Sequence, residues 1–230
     1  MMARRGVLGF LAAGTTAVLS GCGLFRKDKK YRFKMIVEVD TPQGVKRGSS
    51  VYEVEAFGIR DLVTRGSGSR AEVRGEAVAV DVAPGKTLFA LLKHTNNMHP
   101  DLATISMVAL DPGFAYDRLK STERIASGEG ISSPAMVPAD YYPMLVTFKD
   151  IGDPTSVERV EPTNLAGYFG EDVKLKSILL EVTDESVTTG IEERLNEFGM
   201  QEGQGLDRRL GVTANPTLAQ QLGFKDFARR

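Results

Sequence analysis

Residues 31–57 constrain the fold more than any other stretch, because they read as two strands that must pair with each other. Tyr31, Phe33, Met35, Val37 and Val39 alternate with Arg32, Lys34, Glu38 and Asp40. A period of two with one polar face is the pattern of a half-buried strand. Thr41-Pro42-Gln43-Gly44 follows; proline presets φ and glycine tolerates φ > 0, which is turn chemistry. A second strand, Val45 to Phe57, then completes an antiparallel hairpin.

The same signals continue. Gly66-Ser67-Gly68-Ser69 reads as a flexible loop tip. Ala71 to Val82 is rich in valine and alternates, and Pro84-Gly85 turns it into Thr87–Leu92. Residues 31–92 are therefore expected to form one four-stranded, largely antiparallel sheet. Beyond them the pattern loosens. A polar segment (His94 to Pro100) and a short apolar stretch (Leu102 to Leu110) precede a helix predicted near Ala115 to Ala126. Met144 to Phe148 returns to strand character. Thr163 is expected to cap a short helix ending at Gly170. Val173 to Val182 reads as a strand with Val173, Leu175 and Leu179 facing in alternation. Ile191 to Phe198 and Thr217 to Leu222 read as helices. The expected class is α+β: N-terminal antiparallel hairpins forming a sheet, with short helices in the C-terminal half, and residues 31–230 as a single domain.

The core must be mostly aliphatic, since the 230 residues include no Trp and only 11 Phe and 6 Tyr. There is one cysteine, Cys22, so no intramolecular disulfide can staple the fold. Stability has to come from burial, which about 200 residues can supply.

The position of that cysteine explains it. Arg4 and Arg5 precede an uncharged apolar run, Val7 to Leu19, and then small residues. That is the tripartite layout of a secretory signal. The run is shorter than the about 20 residues that span a bilayer as a helix. Leu19-Ser20-Gly21-Cys22 resembles a bacterial lipobox, the recognition site of lipoprotein processing. The resemblance implies cleavage before Cys22, diacylglyceryl transfer to its thiol and acylation of the freed amine. It thus divides the chain into a signal peptide, 1–21, a lipidated tether, 22–30, and the exported domain. Each buried acyl CH₂ contributes about 0.8 kcal/mol, so two or three chains attach firmly where one is marginal. A noncleaved anchor over roughly 6–25 is the alternative. The arginine pair invites a twin-arginine export reading, but its surroundings fit ordinary secretion better. Gly23 is not Asp, so the lipoprotein resemblance implies the periplasmic face of the outer membrane in a host with two membranes. Separately, Pro143–Phe148, Asp153-Pro154, Val157–Val160 and Gly190-Ile191-Glu192 are similar to uncharacterised bacterial hypothetical proteins, a resemblance that implies no activity and no catalytic residue.

Removing residues 1–21, which hold Arg4 and Arg5 and no acid, leaves 27 basic against 30 acidic residues. A mildly acidic domain lacks the basic excess that drives nucleic-acid binding. The cluster Arg26, Lys27, Lys29 and Lys30 suits either anionic headgroups or a solvated linker.

Candidates for chemistry are few. His94 and His99 could share a metal with Asp101. Helical histidine pairs that do so are usually three or four apart, however, and Asn96, Asn97 and Pro100 favour a turn, so two solvated loop histidines is the plainer reading. Cys22 is consumed by lipid, and no Gly-x-Ser-x-Gly elbow, Walker loop or Gly-x-Gly-x-x-Gly occurs. Glu129, Asp140, Asp150 and Asp153 sit in loops where acid–base groups could work, or simply be solvated. Ser132 to Leu145 joins Pro, Met136, Tyr141 and Tyr142 in a stretch whose composition suits a protein contact; a connection packed over its own core is the bland reading. No cofactor is implied. The sequence thus points to an accessory or binding lipoprotein held to the bilayer through Cys22 acyl chains and touching another envelope protein. The alternative is an envelope hydrolase using loop carboxylates and the His94/His99 loop.

Overall fold

A computed structural model describes residues 29–60, 67–94, 101–195, 205–207 and 215–230. Strand β1 (Lys29–Thr41) turns at Pro42-Gln43 into β2 (Gly44–Arg60), and the two pair antiparallel from Lys29↔Ala56 to Thr41↔Gly44. Tyr31, Phe33, Met35, Val37 and Val39 are all buried, as the alternation requires. Lys29 and Lys30 belong to β1 as well, so the expected tether ends two residues early. Both pair with β2 (Lys30↔Glu55), and strand pairing outweighs their polarity.

The expected single sheet over 31–92 is instead two. Strand β3 (Ser67–Glu76) pairs with β2, while β4 (Val78–Ala83) leaves to pair with β5 (Lys86–His94). The break falls at Gly75, whose φ of +138° suits glycine. A Cβ there would also sit 2.6 Å from the Tyr52 ring. The alternating valines on either side hide this corner in the sequence.

The first sheet has six strands in the order β10-β3-β2-β1-β9-β6 and the second four, β4-β5-β7-β8. Their remaining members are β6 (Ala135–Met136), β7 (Pro143–Phe148), β8 (Val157–Val160), β9 (Lys174–Val182) and β10 (Ala228–Arg229). Strand β4 lies across β1 and β2 on the core face of the first sheet. Gly48 makes the crossing possible, since a Cβ there would stand 2.1 Å from the Ala79 carbonyl oxygen. Strand β9 also differs from expectation. A bulge at Lys176 shifts its register against β1, so Ile178 and Leu180 face the core and Leu179 lies half-buried on the other side.

The apolar stretch Leu102 to Leu110 is helix α1 (Leu102–Leu110), buried on nearly every side. Its N-cap is Asp101, whose carboxylate accepts from Thr104 N at 3.1 Å. Helix α2 (Arg118–Ser127) runs from the Asp117 cap to Gly128 and packs over β1 and β2 near Lys29, which reaches Glu123 at 2.5 Å. Short helix α3 (Ala166–Phe169) ends at Gly170 as expected. However, Asn164 rather than Thr163 satisfies its first turn, by accepting from Gly167 N.

Segment 183–190 crosses the outer face of the first sheet. Lys34 binds Glu185, and Thr188 N donates to Val51 O while Val51 N donates to Thr188 Oγ1. It leads into α4 (Ile191–Leu195); Phe198 and Gly199 lie outside the described residues. Helices α5 (Leu218–Gln221) and α6 (Phe224–Phe227) follow. Phe227 joins Phe89 and Phe148 in an aromatic cluster on the second sheet, and Ala228 then pairs with Glu76. One hydrophobic core runs through both sheets and the helices. Antiparallel sheets with a few short helices make the fold α+β. Among the described residues no helix is long and apolar enough to cross a membrane.

Candidate functional site

Strand register gathers several chain reversals at one end of the molecule. The β1–β2 turn is there, and Asp40 pairs with Lys174 at the start of β9. The β4–β5 turn, where Ala83 pairs with Lys86, joins them. Between these segments lies a groove of about 790 Å³. Its apolar wall is Pro42, Val82, Ala83, Pro84, Phe169 and Val173, and its polar groups are Gln43, Lys46, Asp81, Thr87 and Glu171.

The polar groups are placed by identifiable contacts. Asp81 takes a two-pronged hydrogen bond from Arg194 of α4, at 2.8 and 3.1 Å, and a third from the Thr87 hydroxyl at 2.8 Å. The Arg194 hydrogen bonds, with help from Thr87, hold the Asp81 carboxyl below the ordinary aspartate range despite partial burial. Lys86 Nζ donates to Tyr168 O at 2.9 Å, which ties α3 to the β4–β5 turn. Lys46 and Glu171 have no ion-pair partner among the described residues. The site thus offers an apolar wall, one neutralised carboxylate, and one cation and one anion with unspent charge. That arrangement suits binding by burial and charge matching.

The residues singled out from sequence lie elsewhere. His94 ends β5 at the opposite end of that strand, and its Nε2 is 2.9 Å from the Asp140 carbonyl oxygen, not its carboxylate. His99 lies outside the described residues, as does Cys22. Asp101 spends its carboxylate on the α1 cap. Asp150 accepts from Gly152 N at 2.8 Å and Asp153 from Thr155 N at 2.8 Å, both closing local turns. Glu129 is exposed just past the Gly128 cap. No group of three or more His, Cys, Asp or Glu able to hold a metal occurs among the described residues. Of the expected contact surface, Met136 is 62% exposed on edge strand β6, whereas Tyr141 and Tyr142 are half-buried against the core.

Sequence reading missed Lys46, Asp81, Phe169 and Glu171, because they come from four separate segments and converge only through strand register. The one available signal was that Pro42, Pro84 and Gly85 mark turns, and turns at matching strand ends meet. No protein-family model, curated protein or solved structure matches this chain.

Proposed function

We propose that this chain is an exported lipoprotein, attached to a membrane through acyl groups on Cys22, that presents the groove as a binding site for a segment of another envelope protein. The observation that carries this reading is the direction of β1. The strand begins at Lys29, seven residues after Cys22, and runs 13 residues without interruption to the turn that lines the groove. At about 3.3 Å per residue that is about 40 Å. The anchor and the groove therefore sit at opposite ends of one rigid element, with the groove directed away from the lipid. An extended peptide with an apolar side chain for the Phe169 and Val82 wall, and charges to meet Lys46 and Glu171, matches what the groove offers.

Site-specific photocrosslinking in whole cells tests the reading. A photoreactive residue at Gln43, on the rim, is expected to trap an envelope protein, while the same residue at Met136 traps none. Adducts from Met136 alone, or none from Gln43, would overturn the groove as the contact site.

A further inference from the structure

The corner between β3 and β4 holds a carboxyl pair that neither strand pairing nor the groove explains. Glu76 is only 4% exposed, and its two oxygens accept from Gly190 N at 3.1 Å and Ile191 N at 2.7 Å. Glu192, the next residue, has its carboxyl in hydrogen-bonding contact with Glu76. One Glu192 oxygen, Oε1, is taken by Arg230. The other, Oε2, is buried and finds no donor. A buried carboxylate oxygen without a donor, touching a second carboxyl, is a costly arrangement unless a proton lies between them.

We infer that Glu76 and Glu192 share one proton and so form a clasp that holds α4 and the C-terminal strand β10 on the β3–β4 corner, and that the clasp loosens when this proton leaves. With the proton on Glu76, its O–H donates to Glu192 Oε2 and the pair carries a single negative charge, which Arg230 neutralises. Without it, two buried carboxylates face each other. A cavity of about 200 Å³ lined by Glu76, Gly190, Ile191 and Arg194 gives water a route to the pair.

The surrounding charges leave no other donor for that oxygen. Tyr52 of β2 is fully buried, and burial pushes its hydroxyl up, so it stays neutral. Arg194 is held by Asp81, and Arg229 donates to Lys225 O. Glu193 of α4 and Arg74 of β3 complete the set on these elements.

The sign of the pH dependence follows from the two environments. Burial, reinforced by the charge of Glu192, raises Glu76 above the ordinary glutamate value of 4.5 against the pull of its two N–H donors. Its stabilising contribution is complete below that value and is lost as pH rises through the raised one. Glu192 is lowered by its own backbone N–H, then by Arg230 and Glu76, so its contribution is lost as pH falls through the lowered value. The clasp is tightest between the two. It stands whether or not the groove binds a partner, but Arg194 would carry its release to Asp81 on the groove wall.

The test uses the full chain in detergent with a chelator, so that no divalent cation replaces the proton. The ¹³C carboxyl resonance of Glu76 is expected to titrate above the ordinary glutamate range. Amide protection at Gly190, Ile191 and Ala228, corrected for intrinsic exchange, is expected to fall about tenfold per pH unit above that point. In E192Q the amide donates to an ionised Glu76 and the slope disappears; E76Q, which mimics the protonated acid, gives the same flat profile and serves if E192Q does not fold. Titration of Glu76 at or below the ordinary range, or an unchanged slope in either variant, would overturn the clasp.

Discussion

Alanine at position 48 would set a methyl carbon 2.1 Å from the Ala79 carbonyl oxygen, inside the crossing of the two sheets. Both atoms belong to paired backbone, so neither can yield cheaply. G48A is expected to destabilise the protein by at least about 1–3 kcal/mol, the usual cost of overpacking, read as a lower urea midpoint. A midpoint equal to that of the unmodified chain would contradict the close crossing. Asp111 is a second decisive residue. It is 1% exposed where α1 ends, and Arg124 of α2 grips both its oxygens. Burial alone would raise its carboxyl, but the Arg124 guanidinium, Ser121 and Gly113 N–H together hold it below the ordinary aspartate range. A lowered pKa gives stability that is present above the ordinary value and lost as pH falls through the lowered one. Urea midpoints followed from pH 7 to pH 2 should therefore drop in acid for the natural chain. D111N should be less stable at pH 7 and show a shallower acid drop. Equal slopes would mean that this pair does not drive acid unfolding.

At the scale of elements, what was legible depended on whether local pattern and tertiary role agreed. The β1–β2 hairpin was plain because Tyr31–Val39 alternate and one face of the sheet is buried, so periodicity and packing coincide. Helix α1 gave no helical stripe because it is apolar around most of its circumference, with even Thr104 and Ser106 buried. The β3–β4 break was hidden, since the same valine alternation continues on both sides of Gly75 while the strands change sheets. Strand β8 was obscured by Glu158 and Arg159, half-buried polar residues in a four-residue strand. The groove was illegible as a unit, because contacts between turns depend on register, which no local pattern encodes. Helix α6 shows how a short C-terminal element can still matter. Phe227, fully buried, meets Phe89 and Phe148 at 5.9 and 6.2 Å. F227A is expected to cost about 3–5 kcal/mol, measured by urea unfolding. A loss below about 1 kcal/mol, no more than a small surface change, would mean that α6 is not integral to the core.

For the molecule as a whole, the account joins an anchor at one end of β1 to a binding groove at the other. If the groove engages an envelope protein through charge as well as apolar burial, K46E should reduce crosslinking from Gln43 severalfold while leaving the urea midpoint within about 0.5 kcal/mol, as for other surface substitutions. Undiminished crosslinking would separate Lys46 from recognition. All of this presupposes attachment to lipid, and mass spectrometry of the N-terminal peptide from protein purified out of its native host tests that most directly. The account predicts a peptide that begins at Cys22 and carries the mass of two or three acyl chains. An unmodified thiol, with residues 1–21 still joined to it, would contradict it.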